Sequence, residues 1–288
     1  MKKVMKLALL VAAFLLTGCS RQTENSQAQG KEEVTKVVIG STGSDAEIWQ
    51  FIADSALAEK AGLEIEVKEI DGGPQLNNAT VEKQVDVNAF QSLGYLVSFN
   101  KDSDNTLVPL VTTYMEPMGI YSEKYQSVTE IKDGALVALA DNPANTARGL
   151  RLLEAAGLIT LADDFDAGTG TTSDIVENPK KLDFKLIDDT TGPRILKDVD
   201  LALISNTVAF EGGLNVLKDA IFKEEIDKNT KPSINVLVTT KERQDEPALQ
   251  KLGALYHTKE VKDYIQKEFG GTKVEVKEDI ATLWRDVQ

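Results

Sequence analysis

The 288-residue chain contains very little of the residues that most often bind metals or act as nucleophile and base. It has one cysteine, Cys19, and one histidine, His257. A single cysteine excludes an internal disulfide, a CxxC pair and a thiolate metal cluster. His257 lies in a helical pattern near the C-terminus, where we expect an exposed helix residue rather than a ligand. The GxSxG, HExxH and GxxxxGK(S/T) patterns do not occur. We therefore predict a protein that is not an enzyme and has no metal or cofactor.

Positive charge is also scarce. The chain has 32 Lys and Arg against 46 Asp and Glu, which gives a net charge of −14. Loss of residues 1–18 would remove three lysines and no acid, so the rest of the chain would be near −17. A protein this acidic is a poor candidate for binding nucleic acid or anionic lipid headgroups.

The first nineteen residues have the order of a secretory signal. Three lysines within the first six residues precede an apolar run over residues 7–16, and Leu-Thr-Gly-Cys closes the segment at Cys19. The run is too short to span a bilayer as a mature helix. Its ending resembles the lipobox of bacterial lipoproteins, which implies cleavage after residue 18 and a lipid on the Cys19 sulfur. The expected location is the outer face of the bacterial cell membrane. The alternative is an ordinary signal peptide that happens to contain a cysteine.

Residues 19–35 are polar and have too few apolar side chains to offset their ordering entropy, so we predict a flexible tether. About 250 residues follow, enough for one large domain or two lobes.

The rest of the chain alternates strand and helix patterns, which predicts an α/β fold with sheets flanked by helices. The expected strands cover residues 36–40, 63–70, 107–114, 118–122, 135–140, 182–187, 201–204 and 234–240. The expected helices run from about residue 45 to Gly62 and over residues 142–156, 247–255, 259–269 and 278–287.

One helix start combines groups that favour a carboxylate ligand. Asn142 can cap the helix and Pro143 can be its first residue, since the missing N–H of proline is harmless there. Asn145 and Arg148 then lie on one face of the first turns, beside free backbone N–H groups. The alternative is a capped helix with a surface arginine.

Two further segments carry candidate ligand contacts. Phe90 and Tyr95 are spaced to line an apolar slot, although they would equally fit a core. Ser205 and Asn206 follow the strand over residues 201–204, and ligands in α/β folds bind beyond the carboxyl ends of strands. Such polar residues are also common as simple loop caps.

Taken in order, these segments resemble the methionine-binding lipoproteins of bacterial ABC importers, the NlpA/MetQ family. The resemblance runs from residue 37 to about 271. The matching runs are VNAFQS–GYL–FNK over 87–101, PMGIYS over 117–122, NPANTARGLRLLEAAGLI over 142–159 and DLALISNTVAFEGGL over 200–214. It implies the two-lobed type II periplasmic binding protein fold with the ligand in the interlobe cleft. Residues 36–115 plus 234–288 would form lobe 1, and residues 116–233 would form lobe 2.

The resemblance also implies roles for single residues. Arg148 would bind the ligand carboxylate, Asn145 the rest of the amino-acid backbone, and Phe90 the ligand side chain, while Tyr95 keeps a family tyrosine. This chain departs from the family pattern in the pocket. The departures are Gly73 and Ala89 for tyrosines, Ser92 for a histidine, and Ser205 for an asparagine, with Asn206 one place later. Each departure removes volume, which predicts a roomier pocket.

We therefore expect a lipid-anchored, monomeric substrate-binding protein of an ABC importer. Its ligand would be methionine or a related amino acid or dipeptide, captured by lobe closure and delivered to a membrane permease. Two alternatives stay open: an enzyme that uses this fold, and a surface lipoprotein with an adhesive or structural role and a vestigial cleft.

Overall fold

The computed structural model describes residues 34–103, 106–225 and 228–287. The signal segment, Cys19 and nearly all of the predicted tether lie outside these residues. None of the helices in the described part of the chain has the length and apolar composition of a membrane span.

The described residues form an α/β structure with short 3₁₀ turns between the main elements. The strands are β1 (Thr35–Ser41), β2 (Leu63–Glu69), β3 (Val87–Ser92), β4 (Leu107–Thr112), β5 (Tyr114–Met115), β6 (Gly119–Tyr121), β7 (Leu136–Ala140), β8 (Thr160–Leu161), β9 (Ile175–Glu177), β10 (Asp183–Ile187), β11 (Leu201–Ile204), β12 (Phe222–Lys223), β13 (Asn235–Thr240) and β14 (Val274–Glu275). The helices are α1 (Gly43–Asp54), α2 (Ala56–Lys60), α3 (Gly73–Val81), α4 (Leu93–Ser103), α5 (Pro143–Ala155), α6 (Gly192–Ile195), α7 (Asn206–Glu211), α8 (Pro247–Tyr256), α9 (Lys259–Glu268) and α10 (Ile280–Val287).

The first sheet has the strand order β2-β1-β3-β13-β4. β1 runs parallel to β2 and β3, while β13 is antiparallel to β3 and β4. Helix α1 covers this sheet because Ile48, Trp49 and Ile52 recur at helical spacing and are buried against it. Helices α8 and α9 add buried apolar residues to the same core.

The second sheet has the order β10-β7-β11-β6-β12. β7 lies parallel to β10 and β11, and β6 is antiparallel to β11 and β12. Its inner strands β7 and β11 consist of apolar residues, all buried except Leu136, as expected for strands covered on both faces. Helix α5 packs on this sheet through Leu150 and Leu153.

Two crossings between the sheets lie among the described residues. The first is residues 116–118, between β5 and β6, and the second includes residues 224–225 and 228–234, between β12 and β13. Each sheet with its helices has its own core, so the fold is the predicted two-lobed α/β structure. The residue boundaries given above for the lobes stay a prediction.

Several elements differ from the sequence-based expectation. The helix predicted up to Gly62 is broken at Ser55, whose backbone is extended and whose Oγ accepts the Leu57 N–H to start α2. Strand β3 and helices α3, α4 and α7 were not predicted as elements. β3 lacks a clear apolar pattern because its Asn88 and Gln91 are buried in a hydrogen-bonded network with Asn77 of α3. Buried polar residues that satisfy one another leave no hydrophobic signal.

Candidate functional site

The candidate site lies where the carboxyl ends of strands from both lobes meet. β1, β3, β7 and β11 each lead directly into a helix, namely α1, α4, α5 and α7. Helix α1 contacts α7 across the lobes, where Ser44 Oγ and Thr207 Oγ1 are 3.4 Å apart. Helix α4 packs on α5, and Ser98 Oγ donates to the Gly168 carbonyl at 3.3 Å. This is the edge at which α/β folds bind ligands.

Arg148 sits at the base of this edge and is held by the protein itself. Its Nε lies 3.2 Å and 3.1 Å from the two Glu224 carboxylate oxygens, and its Nη2 lies 2.5 Å from Glu224 Oε2. Nη2 also donates to the Glu116 carbonyl at 2.6 Å. Burial opposes the charge of Arg148, but Glu224 and then Glu116 outweigh burial and raise its pKa. The guanidinium is charged, as arginine is in proteins, and its Nε and Nη2 are already bound.

The start of α5 is capped as predicted. Asn142 Oδ1 accepts the Asn145 N–H at 2.9 Å. The side-chain amides of both asparagines donate to Asp189 Oδ2, at 2.7 Å from Asn142 and 3.2 Å from Asn145. Burial is the main reason why the pKa of Asp189 is raised, and the nearby Asp188 and Asp141 add to the shift. Asn145 thus donates a hydrogen bond to the half-buried carboxylate of Asp189, which no sequence pattern had indicated as part of a site.

Phe90 and Tyr95 form an aromatic wall. Their ring centroids are 5.7 Å apart in an edge-to-face arrangement, a favoured geometry for aromatic pairs. Burial raises the pKa of Tyr95 well above its usual range, and the negative charge of Asp189 in the other lobe is the next largest cause of this rise. Tyr95 therefore lies close enough to Asp189 for the two groups to interact electrostatically.

The space beside Gly73 is not empty. A Cβ placed on Gly73 would lie 2.3 Å from Tyr95 Oη and 3.0 Å from Phe90 Cε2. The aromatic wall already fills the volume that a side chain at this position would occupy. The prediction of a roomier pocket is wrong at this position, because the neighbouring rings take up the missing volume.

Ala89 and Ser92 also have structural roles. Ala89 is buried in the core of the first lobe. Ser92 Oγ accepts the Tyr95 N–H at 3.2 Å at the start of α4. Ser205 occupies the cap position of α7 but makes no side-chain capping bond.

Asn206 belongs to a buried polar cluster rather than to an open wall. It is 1% exposed, and its Nδ2 donates to Glu116 Oε2 at 2.8 Å and to Thr272 Oγ1 at 3.2 Å. Its Oδ1 has no hydrogen-bond partner among the described residues. Of the predicted residues, Gly73, Phe90 and Tyr95 meet in one group, whereas Asn206 contacts Glu116 in the first crossing.

Asp45, Glu116 and Lys273 form a buried ion cluster beside the first crossing. Lys273 Nζ lies 3.0 Å from Glu116 Oε2 and 3.5 Å from Asp45 Oδ1. Tyr114 Oη donates to Asp45 Oδ1 at 2.5 Å, and Thr207 donates to Glu116 Oε1 from its N–H at 3.1 Å and its hydroxyl at 2.9 Å. The cluster thus joins α1, the first crossing, α7 and the C-terminal segment.

The three charged groups of the cluster shift one another's pKa values. Burial opposes the charge on Lys273, but Asp45 and Glu116 outweigh burial and raise its pKa. Burial also opposes the charge on Glu116, yet Lys273 and the hydrogen bonds from Asn206 and Thr207 lower its pKa. Asp45 receives fewer donors, so burial keeps its pKa raised. One lysine thus compensates Glu116 more fully than Asp45.

Sequence patterns missed Asp45, Glu116, Lys273 and Glu224. Each is one of many charged residues, and each partner is remote in sequence. Only the position of Glu116, beside the PMGIYS run, hinted at a role.

His257 is not the exposed residue that the sequence predicted. Its side chain is 5% exposed, with Nδ1 2.9 Å from Glu275 Oε1 and Nε2 2.8 Å from the Thr112 carbonyl. It ties the end of α8 to β4 and β14, which is a structural role. Within the described ranges, no group of three or more His, Cys, Asp or Glu side chains is arranged to hold a metal ion.

Comparison with known proteins places this geometry in a family. A family model described as NlpA lipoprotein matches residues 37–277. This chain belongs to the NlpA lipoprotein family. The family consists of substrate-binding proteins of transporters, not enzymes.

Individual relatives agree over nearly the full length. The methionine-binding lipoprotein MetQ of Bacillus subtilis is 35% identical over 273 residues, 94% of this chain and 97% of that protein. A nutrient-binding protein from Burkholderia cenocepacia, solved bound to methionine, is 36% identical with a TM-score of 0.79, over 84% of this chain and 99% of that one. An ABC transporter periplasmic substrate-binding protein from Coxiella burnetii is 32% identical with a TM-score of 0.79, over 83% and 100%. These NlpA-family and structural relatives confirm the predicted fold class.

Proposed function

We propose that this NlpA-family lipoprotein captures methionine between its lobes and delivers it to the membrane permease of an ABC importer. The proposal extends what the names of the relatives state for those proteins. The observation that carries it here is the charged Arg148 at the base of the interlobe edge, whose Nη1 has no hydrogen-bond partner among the described residues. Among the ligand classes predicted from the sequence, the relatives favour methionine over a dipeptide.

The charges at the edge suit a zwitterion. The free Nη1 of Arg148 would bind the ligand carboxylate, since a guanidinium pairs strongly with carboxylates. Asp189 Oδ1, which accepts no hydrogen bond from the described residues, would accept the ligand ammonium. The aromatic wall of Phe90 and Tyr95 would pack on the thioether, because sulfur contacts aromatic rings favourably.

Lobe closure would bury this ligand and present a closed surface to the permease. Cys19 would carry the lipid that keeps the protein at the outer face of the cell membrane.

Substitution of Arg148 tests the proposed binding role. Loss of a charge-assisted contact in the closed cleft should weaken L-methionine binding by about 2–5 kcal/mol. Arg148→Lys should restore only part of the affinity, because lysine lacks the planar fork. Calorimetric titration of each variant provides the measurement.

Arg151→Ala is the matched control, since Arg151 lies one turn later on α5 with its guanidinium 5.3 Å from the centre of the Phe165 ring. It should bind L-methionine as the wild type does. If Arg148→Ala also binds as tightly as the wild type, Arg148 is not a ligand residue.

A further inference from the structure

The Arg148–Glu224 pair is well shielded from water. The two side chains are 12% and 13% exposed. Glu224 Oε2 receives both Nε and Nη2 of the guanidinium, while Oε1 receives Nε. This contact uses the fork of the guanidinium, which is the strongest way for arginine to bind a carboxylate.

Glu224 is itself fixed by the first crossing. Its Oε2 accepts the Met118 N–H at 3.1 Å, and its own N–H donates to the Met118 carbonyl at 2.9 Å. Arg148 is tied to the same segment through the Glu116 carbonyl. Glu224 begins the second crossing, so this one side chain joins both crossings to helix α5.

These contacts determine which part of Arg148 is available to a ligand. A guanidinium has five N–H groups. Nε and both hydrogens of Nη2 are used by Glu224 and Glu116, whereas Nη1 has no hydrogen-bond partner among the described residues. Displacing Glu224 from the fork would leave a shielded carboxylate with a single N–H donor. A ligand is therefore expected at Nη1, with Glu224 still in place.

We propose that Glu224 is a positioning residue for ligand recognition: it holds the Arg148 guanidinium so that Nη1 faces the ligand, and it compensates the charge of that guanidinium. The inference rests on the proposed function, in which Arg148 contacts the ligand. Because the Arg148–Glu224 pair has no net charge, the site should select a zwitterion over a ligand that carries only a carboxylate. Glu224 would thus contribute to specificity without touching the ligand.

The test is a cycle of variants of the full chain purified in detergent, titrated with L-methionine and with its des-amino analogue. Glu224→Gln keeps the size of the side chain and removes its charge. It should weaken L-methionine binding by roughly tenfold or more, by analogy with the loss of groups that orient metal-coordinating side chains. It should also narrow the preference for L-methionine over the des-amino analogue, since the unpaired arginine then favours the anion. A merely structural role would not change this ratio.

In the Arg148→Ala background, Glu224→Gln should change L-methionine affinity by less than about twofold, because the residue would act only through Arg148. Glu224→Asp should give an intermediate loss of L-methionine affinity. It replaces Glu224→Gln in the comparison if Glu224→Gln does not fold. Asp86→Asn is the matched control, because Asp86 also accepts from a guanidinium, that of Arg243, and from a backbone N–H, that of Val38. Asp86 precedes β3 at the end opposite Ser92, so Asp86→Asn should lower the melting temperature and leave affinity within about twofold.

Three results would overturn the inference: Glu224→Gln binding L-methionine as tightly as the wild type, an equal loss in the Arg148→Ala background, or an unchanged preference between the two compounds. A wild type that binds neither compound would refute the proposed function, and this inference with it.

Discussion

Lys273→Met should be strongly destabilising at neutral pH. Lys273 has no exposed side-chain surface, and Asp45 and Glu116 are each 6% exposed. Methionine keeps an unbranched side chain of similar length but removes the ammonium group. Two buried carboxylates would then face each other without a cation, and Thr207 would lose a donor.

The size of the effect follows from burial. Removing one partner of a buried ion pair typically costs about 3–5 kcal/mol, because the remaining charge is left uncompensated. Lys273 serves two carboxylates, so we expect a loss of unfolding free energy toward the upper part of this range. The double variant Lys273→Met with Glu116→Gln should be more stable than Lys273→Met alone, because one uncompensated charge is then removed.

Urea denaturation with linear extrapolation measures this effect. The control is Lys267→Met, since Lys267 also pairs with a carboxylate, that of Glu268, but is 81% exposed. The urea midpoint of Lys267→Met should match that of the wild type. If Lys273→Met lies within about 1 kcal/mol of the wild type, the buried ion cluster is not the stabilising unit described here.

Three further predictions follow from other parts of the molecule. The raised pKa of Lys273 contributes stability that is complete below the ordinary lysine value of 10.5 and is lost as pH rises through the folded-state value. The raised pKa values of Tyr114 and Tyr256 act in the same direction. Urea midpoints should therefore fall steadily in alkaline buffer, and midpoints that do not change with pH would contradict these raised pKa values. Gly43→Ala should displace the Glu211 carboxylate of α7, which its Cβ would overlap, and should lower the melting temperature more than Gly134→Ala, which is also at positive φ but has nothing within 4 Å; equal melting temperatures for the two variants would contradict this contact. Cys19→Ser should release the protein from the membrane fraction and leave the melting temperature unchanged, whereas retention in that fraction would argue against a lipid anchor.

Local patterns predicted the parts of the fold that depend on neighbouring residues. The start of α5 is an example, because the cap at Asn142 and the proline after it act within one turn. The central strands β7 and β11 were equally clear, since both are continuous apolar runs. Strand β3 was missed because its buried side chains are polar and are satisfied by α3, which no local pattern records.

The candidate site was predictable only in part. Arg148 and Asn145 could be proposed as ligand residues because they share one face of a helix start. Glu224 lies 76 residues from Arg148, and Glu116 lies 157 residues from Lys273. Such pairs exist only after the lobes have formed, and the sequence contains many other charged residues. The misjudged space beside Gly73 has the same origin, because the rings that fill it belong to a different element.

The most direct test of methionine capture is a calorimetric titration of the wild-type protein, freed of bound ligand by unfolding and refolding, with L-methionine. Saturable binding with one site per chain, tighter than for dipeptides and for the des-amino analogue, is the predicted result. Absence of heat with L-methionine would contradict it, both where a dipeptide binds saturably and where none of the tested compounds binds.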